Sequence, residues 1–394
     1  MKWLRLFLAV LLLGACLILI FRLAPGLMSR EMTAGDDFVE YWAAGRLNLQ
    51  GADPYSPEQL APLQLEVGRR YGVPVPMWNP PWTLPLVMPF GALPYPVSRL
   101  IWLISQTALV LFCASATWRF FRGPATHLWV AWLIAITFLP TLYLLKIGQI
   151  SAVMLTGVVL FIKFTQRRSW WLAGLSILLI LIKPQTLYLV GLAYLFWAIS
   201  QRRWWLLAGS GIGICLATCI SLWFNPAVFK QYLFAINHQP PMQIITPTLG
   251  GTLRYFLGGD KVWLQFVPTA LGLVWFCFHW RKARHTWSWP EQLPLLLMVS
   301  VLTTSYGWTF DYVVLLPAVL AVAAGLFRPP TNFWHNLLAT APYLAIEAGA
   351  LATNFISPDY FAYAWFVPAL VGWYLLMVRW GVVGSPSEPA TGSR

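Results

Sequence analysis

Charged residues are scarce in this chain of 394 residues, and acids are scarcer than bases. Only 10% of the residues are charged, and 13 acidic residues stand against 26 lysines and arginines. Soluble domains carry about 25% charged residues, so this chain has too few to cover a water-facing surface. With 59% hydrophobic residues, the composition excludes an ordinary soluble protein and predicts an all-α polytopic membrane protein.

Cysteines and metal-binding motifs are also sparse. The five cysteines all lie within apolar runs, which excludes a disulfide framework or a zinc site built on paired spacings. No Asp-x-Asp motif stands in an exposed loop, and no Gly-rich phosphate cradle is present. The sequence therefore predicts no metal, no cofactor and no soluble nucleotide-sugar site.

Apolar runs of about 18 to 22 residues, enough for a helix to cross about 30 Å of hydrocarbon, fill most of the chain. They predict a bundle of about twelve transmembrane helices in a single integral membrane domain, residues 1–394. The predicted helices are Trp3–Phe21, Pro96–Thr117, His127–Leu145, Ile150–Phe164, Ser169–Ile182, Gln185–Ser200, Trp204–Phe224, Val262–His279, Trp289–Thr304, Thr309–Phe327, Phe333–Ala352 and Phe361–Val378.

The net charge of +13 follows the membrane topology and does not indicate a nucleic-acid partner. Arginines and lysines collect in alternate short loops, as the positive-inside rule expects of cytoplasmic loops, while most acids fall on the other side. The two long loops, residues 28–79 and 225–261, are then extracytoplasmic. Within the first, 37–49 and 57–71 are compatible with surface helices.

The segment Pro80–Pro94 is apolar, but it carries five prolines. Proline at this density breaks helices. A span here would also place every later basic loop outside. We therefore predict a re-entrant or interfacial segment, with an additional span as the alternative.

Polar residues that interrupt the predicted helices gather at one face of the membrane. They are Lys146 and Gln149, then Lys183, then the segment 306–311. The acids Asp36 and Asp37, just past the first helix, fall on the same side. A charge close to hydrocarbon is expensive, so the sequence predicts one polar, ionisable pocket that opens outward.

Several short motifs together resemble glycosyltransferase family 87, a GT-C class family similar to bacterial polyprenyl-phosphate-mannose-dependent mannosyltransferases. The chain departs from the family pattern after Trp308, where Phe310 and Asp311 stand in place of the histidine that many members carry. The motifs, in order, are Asp37-Phe38 with Tyr41, Gly51 with Asp53 to Tyr55, Asn79 to Pro81, Gly148-Gln149, Lys183-Pro184 and Tyr306 to Asp311.

The resemblance implies a GT-C-like fold with extracytoplasmic loop helices in a bacterial inner membrane. It also implies inverting transfer of a mannosyl-type hexose from a polyprenyl-phosphate-sugar donor to a lipid or glycan acceptor, with membrane lipids around the enzyme. Asp37 matches the family's acid and would be the general base. A neighbouring Asp36 would raise its basicity by like-charge repulsion.

The leaving phosphate calls for a cation in a poorly solvated site. Lys183 is the first choice for this role. The remaining predicted substrate contacts are Tyr41, Gln149, Tyr306, Trp308 and Asp311, with Lys146, Arg254 and Lys230 as alternative cations and His238 as a hydrogen-bond donor.

Each site residue also has a structural alternative. The two aspartates could cap the surface helix that they precede, the lysines could reach from helix ends to headgroups, and Asp311 could pair with a cation. The turn at Pro54 and Tyr55 is predicted to shape its loop. A transporter or lipid flippase is the alternative function, and a polysaccharide ligase or polymerase, with essential arginines, is a third.

Overall fold

The computed structural model describes residues 37–69, 74–328, 333–357 and 359–383. These residues form helices and connecting segments, with no strand among them. The helices in chain order are α1 (Phe38–Leu49), α2 (Pro57–Glu66), α3 (Leu84–Gly91), α4 (Tyr95–Phe120), α5 (Leu128–Thr137), α6 (Leu139–Ile147), α7 (Ser151–Gln166), α8 (Trp170–Ile180), α9 (Tyr188–Ser200), α10 (Trp204–Phe224), α11 (Val228–His238), α12 (Leu249–Leu257), α13 (Val267–Ala283), α14 (Trp289–Leu302), α15 (Leu316–Leu326), α16 (Phe333–Ile356) and α17 (Phe366–Arg379).

Several of these helices are long and apolar enough to cross a membrane. The prediction of an all-α polytopic membrane protein is confirmed, whereas the number twelve stays a prediction. The first predicted helix, Trp3–Phe21, lies outside the described residues. Within them, five segments pass by length and composition, Tyr95–Phe120, Trp204–Phe224, Val262–Ala283, Thr309–Leu326 and Tyr360–Arg379, and the bent pair α5 and α6 makes up to six.

The chain divides into two compact units, Met1–Ser105 with Cys219–Ala235, and Gln106–Thr218 with Ile236–Arg394. In the first unit α1 packs closely on α3. A Cβ added at Gly91 would lie 2.3 Å from the backbone nitrogen of Arg46, so only glycine permits this approach. Aromatic rings fix the start of α1, because Phe38 lies 5.2 Å from Trp102 and Tyr41 stacks on the same ring.

The proline-rich segment Pro80–Pro94 forms a 3₁₀ turn followed by α3, which has only eight residues. Eight helical residues extend about 12 Å, well short of the hydrocarbon thickness. This length fits the prediction of a segment that does not span, and its membrane position stays a prediction.

The first long loop contains the two helices that its sequence favours, α1 and α2. The expectation that α1 is a surface helix is wrong, because most of its residues are buried. The Ser56 side chain caps α2 by accepting the Gln59 N–H. Asp53 Oδ1 accepts the Tyr55 N–H at 2.9 Å, and the Tyr55 hydroxyl donates to the Asn79 carbonyl at 3.1 Å. Burial raises the pKa of Asp53. These contacts give the Pro54 and Tyr55 turn the structural role predicted for it.

The prediction of one continuous helix over His127–Leu145 is wrong. The chain turns at Phe138, and α5 and α6 meet at a bend of 59°. Pro140 lacks an N–H and clashes with the preceding turn inside a helix, so the helix ends and restarts with proline in its first turn.

The helix break leaves the N–H of the buried Leu139 at the start of α6 without an acceptor in its own helix. Glu347, from the middle of α16, accepts this N–H through Oε2 at 2.9 Å. A backbone donor left unpaired away from water costs about 1–3 kcal/mol, so this contact explains why an apolar helix carries a carboxylate. The role of Glu347 in the second unit is to stabilise the bend.

The segment predicted as the second long loop, residues 225–261, is mostly helical. It contains α11, a 3₁₀ turn and α12, which begins with Thr248 capping the Gly251 N–H. The sequence did not locate these loop helices, and the membrane side of the segment stays a prediction.

Candidate active site

Three interruptions of the helices in the second unit converge on one cluster of polar side chains. Lys183 lies in the turn between α8 and α9, where Pro184 stops the helix. Gln149 follows the end of α6, which Gly148 terminates in the left-handed conformation with φ of 77°. Asp311 lies in the 3₁₀ segment Thr309–Leu315 that precedes α15.

Lys183 is the centre of this cluster. Its Nζ lies 2.7 Å from Asp311 Oδ1 and 3.1 Å from Gln149 Oε1. The ammonium group also stands 4.9 Å from the centre of the Phe310 ring, within the range of a cation–π contact. The Lys183 side chain is 13% exposed and the Asp311 side chain 1%, so the ion pair is shielded and the lysine retains a limited opening.

Asp311 is held from three directions. Besides Lys183, its Oδ1 accepts the Ser151 hydroxyl at 2.6 Å, and its Oδ2 accepts the Trp308 N–H at 3.1 Å. The Trp308 indole in turn donates to the Tyr306 hydroxyl at 2.9 Å. The carboxylate therefore has a fixed position, and it fixes the lysine. We refer to Gln149, Ser151, Lys183, Trp308 and Asp311 as the Lys183 cluster.

The structure thus brings together five residues that the sequence predicted for the site, Gln149, Lys183, Tyr306, Trp308 and Asp311. Ser151, a member of the Lys183 cluster, and Phe310, whose ring contacts the Lys183 ammonium, were not predicted for the site. Ser151 begins α7 two residues after the Gly148-Gln149 motif, and Phe310 stands beside Asp311. Their proximity in sequence to predicted site residues was the available signal.

Asp37 lies in the first unit, directly before α1, and is partly exposed. It occupies the position of an N-cap, but within the described first turn its side chain accepts no capping hydrogen bond. A capping hydrogen bond therefore does not account for this residue, and its interaction with the dipole of α1 stays an alternative. Asp36 lies outside the described residues.

Two residues of α1 close to Asp37 in sequence are buried. Tyr41, a predicted substrate contact, is fully buried against Trp102. Glu40, which the sequence analysis did not select, is only 6% exposed. Residues three apart lie on one face of a helix, so the 37/40 spacing was a signal that Glu40 shares the face of Asp37.

The residues predicted as alternative cations, and His238, lie outside the Lys183 cluster. Arg254 is buried and donates to the Gly259 and Met242 carbonyls and to the Gln265 side chain, which holds the segment around α12 together. Lys146, Lys230 and His238 are exposed. Among the described residues, no group of three His, Cys, Asp or Glu side chains is arranged to hold a metal ion.

Comparison with known proteins identifies a family. No curated protein and no solved structure shows significant similarity to the chain. The sequence model of glycosyltransferase family 87 matches residues 78–291, more than half of the chain. This range contains Gln149, Ser151 and Lys183 and excludes Asp37 and Asp311. It favours an enzyme over the transporter alternative. The chain therefore belongs to glycosyltransferase family 87, whose members transfer a sugar from a donor to an acceptor.

Proposed function

We propose that this enzyme transfers a mannosyl-type hexose from a polyprenyl-phosphate-sugar donor to a hydroxyl of a lipid or glycan acceptor. The reaction takes place on the extracytoplasmic face of a bacterial cell membrane and inverts the anomeric centre. The acceptor oxygen attacks the anomeric carbon while Asp37 takes the hydroxyl proton, and the bond to the carrier phosphate breaks. Family membership and the geometry of the Lys183 cluster support this proposal.

The Lys183 cluster is the observation that carries the proposal. A lysine ammonium has three N–H donors, and among the described contacts Asp311 and Gln149 take two. The third is available to an oxygen of the leaving phosphate. Because Asp311 and Gln149 already fix the ammonium group, little reorganisation is needed as negative charge develops, which is the condition for effective electrostatic stabilisation.

Asp37 is assigned as the general base because it matches the acid of the family pattern and the residue is partly exposed at the start of α1. The rings of Phe38 and Tyr41, packed on Trp102, anchor the turn that carries it. A positioned base contributes about 10²- to 10⁴-fold to the rate of proton transfer. Trp308 and Tyr306, at the edge of the Lys183 cluster, are assigned to contact the sugar.

The test is transfer of labelled hexose from a polyprenyl-phosphate donor by the purified protein in lipid nanodiscs. We expect Asp37→Asn to lower kcat by about 10²- to 10⁴-fold without loss of folded protein. Asp53→Asn is the matched control, because it makes the same change in the same loop at a turn that asparagine also supports. Transfer by Asp37→Asn at the rate of Asp53→Asn would refute the base assignment.

A second measurement separates the roles of Lys183 and Asp37. We expect Lys183→Met to lower transfer from the phosphate donor strongly. The loss should be smaller for a donor whose leaving group, such as a nitrophenolate, carries no phosphate. The Asp37→Asn loss should be the same for both donors, since the acceptor proton is removed in each case. Equal losses for the two donors in Lys183→Met would contradict its role at the phosphate.

A further inference from the structure

A cavity of about 460 Å³ lies at the opposite end of α7 from Ser151. This volume is within the usual range of ligand sites, about 300–1,000 Å³. Four cationic side chains line it, Arg119, Arg122, Lys163 and Arg167, and we call it the basic cavity. Ser151 and Lys163 are twelve residues apart, or about 18 Å along the helix, so the basic cavity and the Lys183 cluster are separate sites within the second unit.

The charge of the basic cavity is not compensated from within its wall. None of the described residues that line it is an aspartate or a glutamate. Glu291 lines a neighbouring cavity that shares Phe120 and Phe121 with this one. Burial, and after it the positive charge of Arg122, lower the pKa of the nearby Arg328 guanidinium. Four cations in a described lining without a carboxylate form a site for an anion.

The wall of the basic cavity is also apolar on one side. Phe112 belongs to the membrane-span candidate α4 and is 37% exposed, and Val159 and Ile162 lie on the facing helix α7. The Lys163 ammonium stands 5.3 Å from the centre of the Phe112 ring. Arg119 and Arg122 lie two to three helical turns beyond Phe112, at the end of the span. An acyl chain along Phe112 and a phosphate at the arginines would satisfy both surfaces.

The backbone at Arg122 brings its side chain to the basic cavity. Its φ of 56° lies in the left-handed region, which commonly ends a helix. Arg168 and Arg202 adopt the same conformation, with φ of 57° and 50°, so the conformation by itself does not mark a ligand site. At the end of α4 it lets Arg122 line the cavity together with Arg119 of the last helical turn.

We propose that the basic cavity binds one anionic phospholipid, with the phosphate diester held by Arg119, Arg122, Lys163 and Arg167 and an acyl chain along Phe112. Basic pockets between transmembrane helices are a recognised form of lipid headgroup site. The apolar wall favours a lipid over a soluble phosphate, which shares the headgroup chemistry. This inference is independent of the proposed sugar transfer and concerns residues that have no role in it.

The test is native mass spectrometry of the full-length protein from nanodiscs that contain phosphatidylglycerol and phosphatidylcholine. We expect one tightly retained phosphatidylglycerol, and at least a tenfold lower affinity for it in Arg119→Gln/Lys163→Gln/Arg167→Gln. The matched control removes three exposed charges that do not line the cavity, Arg202→Gln/Arg281→Gln/Lys282→Gln, and should retain the affinity within twofold. If the triple variant does not fold, Lys163→Gln alone should lower the affinity at least threefold.

Three outcomes would overturn the proposal. Equal losses of phosphatidylglycerol affinity in the two triple variants would show that the lipid responds to the overall surface charge and not to the basic cavity. Full retention of phosphatidylglycerol in the first variant would place the lipid elsewhere. Displacement of the lipid by millimolar glycerol phosphate would assign the cavity to a soluble anion, whereas no displacement supports the lipid.

Discussion

The two ends of α7 handle positive charge in opposite ways. At Ser151, the ammonium group of Lys183 is paired with Asp311 inside the protein, and the pair is almost completely shielded. At Lys163, four cations face a cavity whose described lining holds no carboxylate. At the Ser151 end, Asp311 neutralises the lysine charge without a ligand. At the Lys163 end, the positive charge of the cavity requires a bound anion to neutralise it.

This difference separates two kinds of function. A site that stabilises a transition state works best when its dipoles and charges are already fixed, because reorganisation then adds little to the barrier. A site that holds a structural ligand can leave its charge open, since the ligand supplies the opposite charge permanently. On this basis we assign catalysis to the Lys183 cluster and lipid binding to the basic cavity.

The largest expected effect on stability comes from removing the acid that neutralises Lys183, so that the Ser151 end of α7 carries uncompensated positive charge like the Lys163 end. Asp311→Asn leaves the shielded Lys183 ammonium without its counter-charge, and breaking a buried pair in this way costs about 3–5 kcal/mol. We expect a loss of about 3 kcal/mol in the free energy of unfolding, because the 13% exposure of Lys183 gives it some solvent. Unfolding in mixed detergent measures this change.

The control for this variant is Asp359→Asn, an exposed acid that caps the Phe361 N–H, which asparagine also does. We expect a change below about 0.5 kcal/mol there. The double variant Lys183→Met/Asp311→Asn should recover most of the lost stability, since no charge then remains unpaired. A single variant as stable as the wild type would contradict the compensation argument.

The sequence could indicate the Lys183 cluster but not its pairings. Lys183, Gln149 and Asp311 each stand where an apolar run stops, and alternating topology places those stops on one side. Lys183 and Asp311 are 128 residues apart, so their contact depends on how α7, α8 and α15 pack. For the same reason Arg254 remained an alternative to Lys183, although the donors of Arg254 hold its own loop together.

Burial and backbone conformation explain the other differences between the sequence-based predictions and the structure. The bend between α5 and α6 follows from Pro140, which the hydropathy pattern of His127–Leu145 does not reveal. The 6% exposure of Glu40 is produced by tertiary packing, which its residue type and its place in the chain do not reveal. The left-handed φ of Arg122 has no signature in the residue type itself. Composition and periodicity predicted the fold class well, because the thickness of the membrane fixes the length of an apolar run and that length can be counted along the sequence.

The second prediction concerns the strain at the basic cavity. Arg122→Gly removes an unfavourable left-handed side chain and should stabilise the fold by about 0.5–1 kcal/mol, while the affinity for phosphatidylglycerol falls. Arg202 has φ of 50° in an equivalent turn and does not line the cavity, so Arg202→Gly should bring the same gain with unchanged lipid affinity. Lipid losses of equal size in the two variants would remove Arg122 from the site.

The third prediction concerns a variant that adds an acidic side chain to the lining of the basic cavity. Gln166 lines the basic cavity, and Gln201 precedes a similar pair of arginines elsewhere. A carboxylate at 166 competes with the lipid phosphate for the neighbouring cations, so Gln166→Glu should weaken phosphatidylglycerol binding about threefold, or ~0.6 kcal/mol. Gln201→Glu should leave it unchanged. A stronger affinity in Gln166→Glu would mean that the site does not select an anion.

The smallest expected effect is the change in the Lys183–Asp311 interaction energy with salt, which distinguishes this ion pair from the basic cavity. Raising ionic strength from about 0.1 M to 1 M shortens the screening length from about 10 Å to 3 Å, which weakens charges that face water and hardly affects shielded pairs. The coupling between Lys183 and Asp311, measured by a double-mutant cycle, should change by less than about 0.3 kcal/mol. Phosphatidylglycerol affinity should fall several-fold over the same range, because Arg119 and Arg167 are exposed. A salt-sensitive ion pair would show that water reaches Asp311, and the catalytic end would then lack the fixed charge geometry assigned to it.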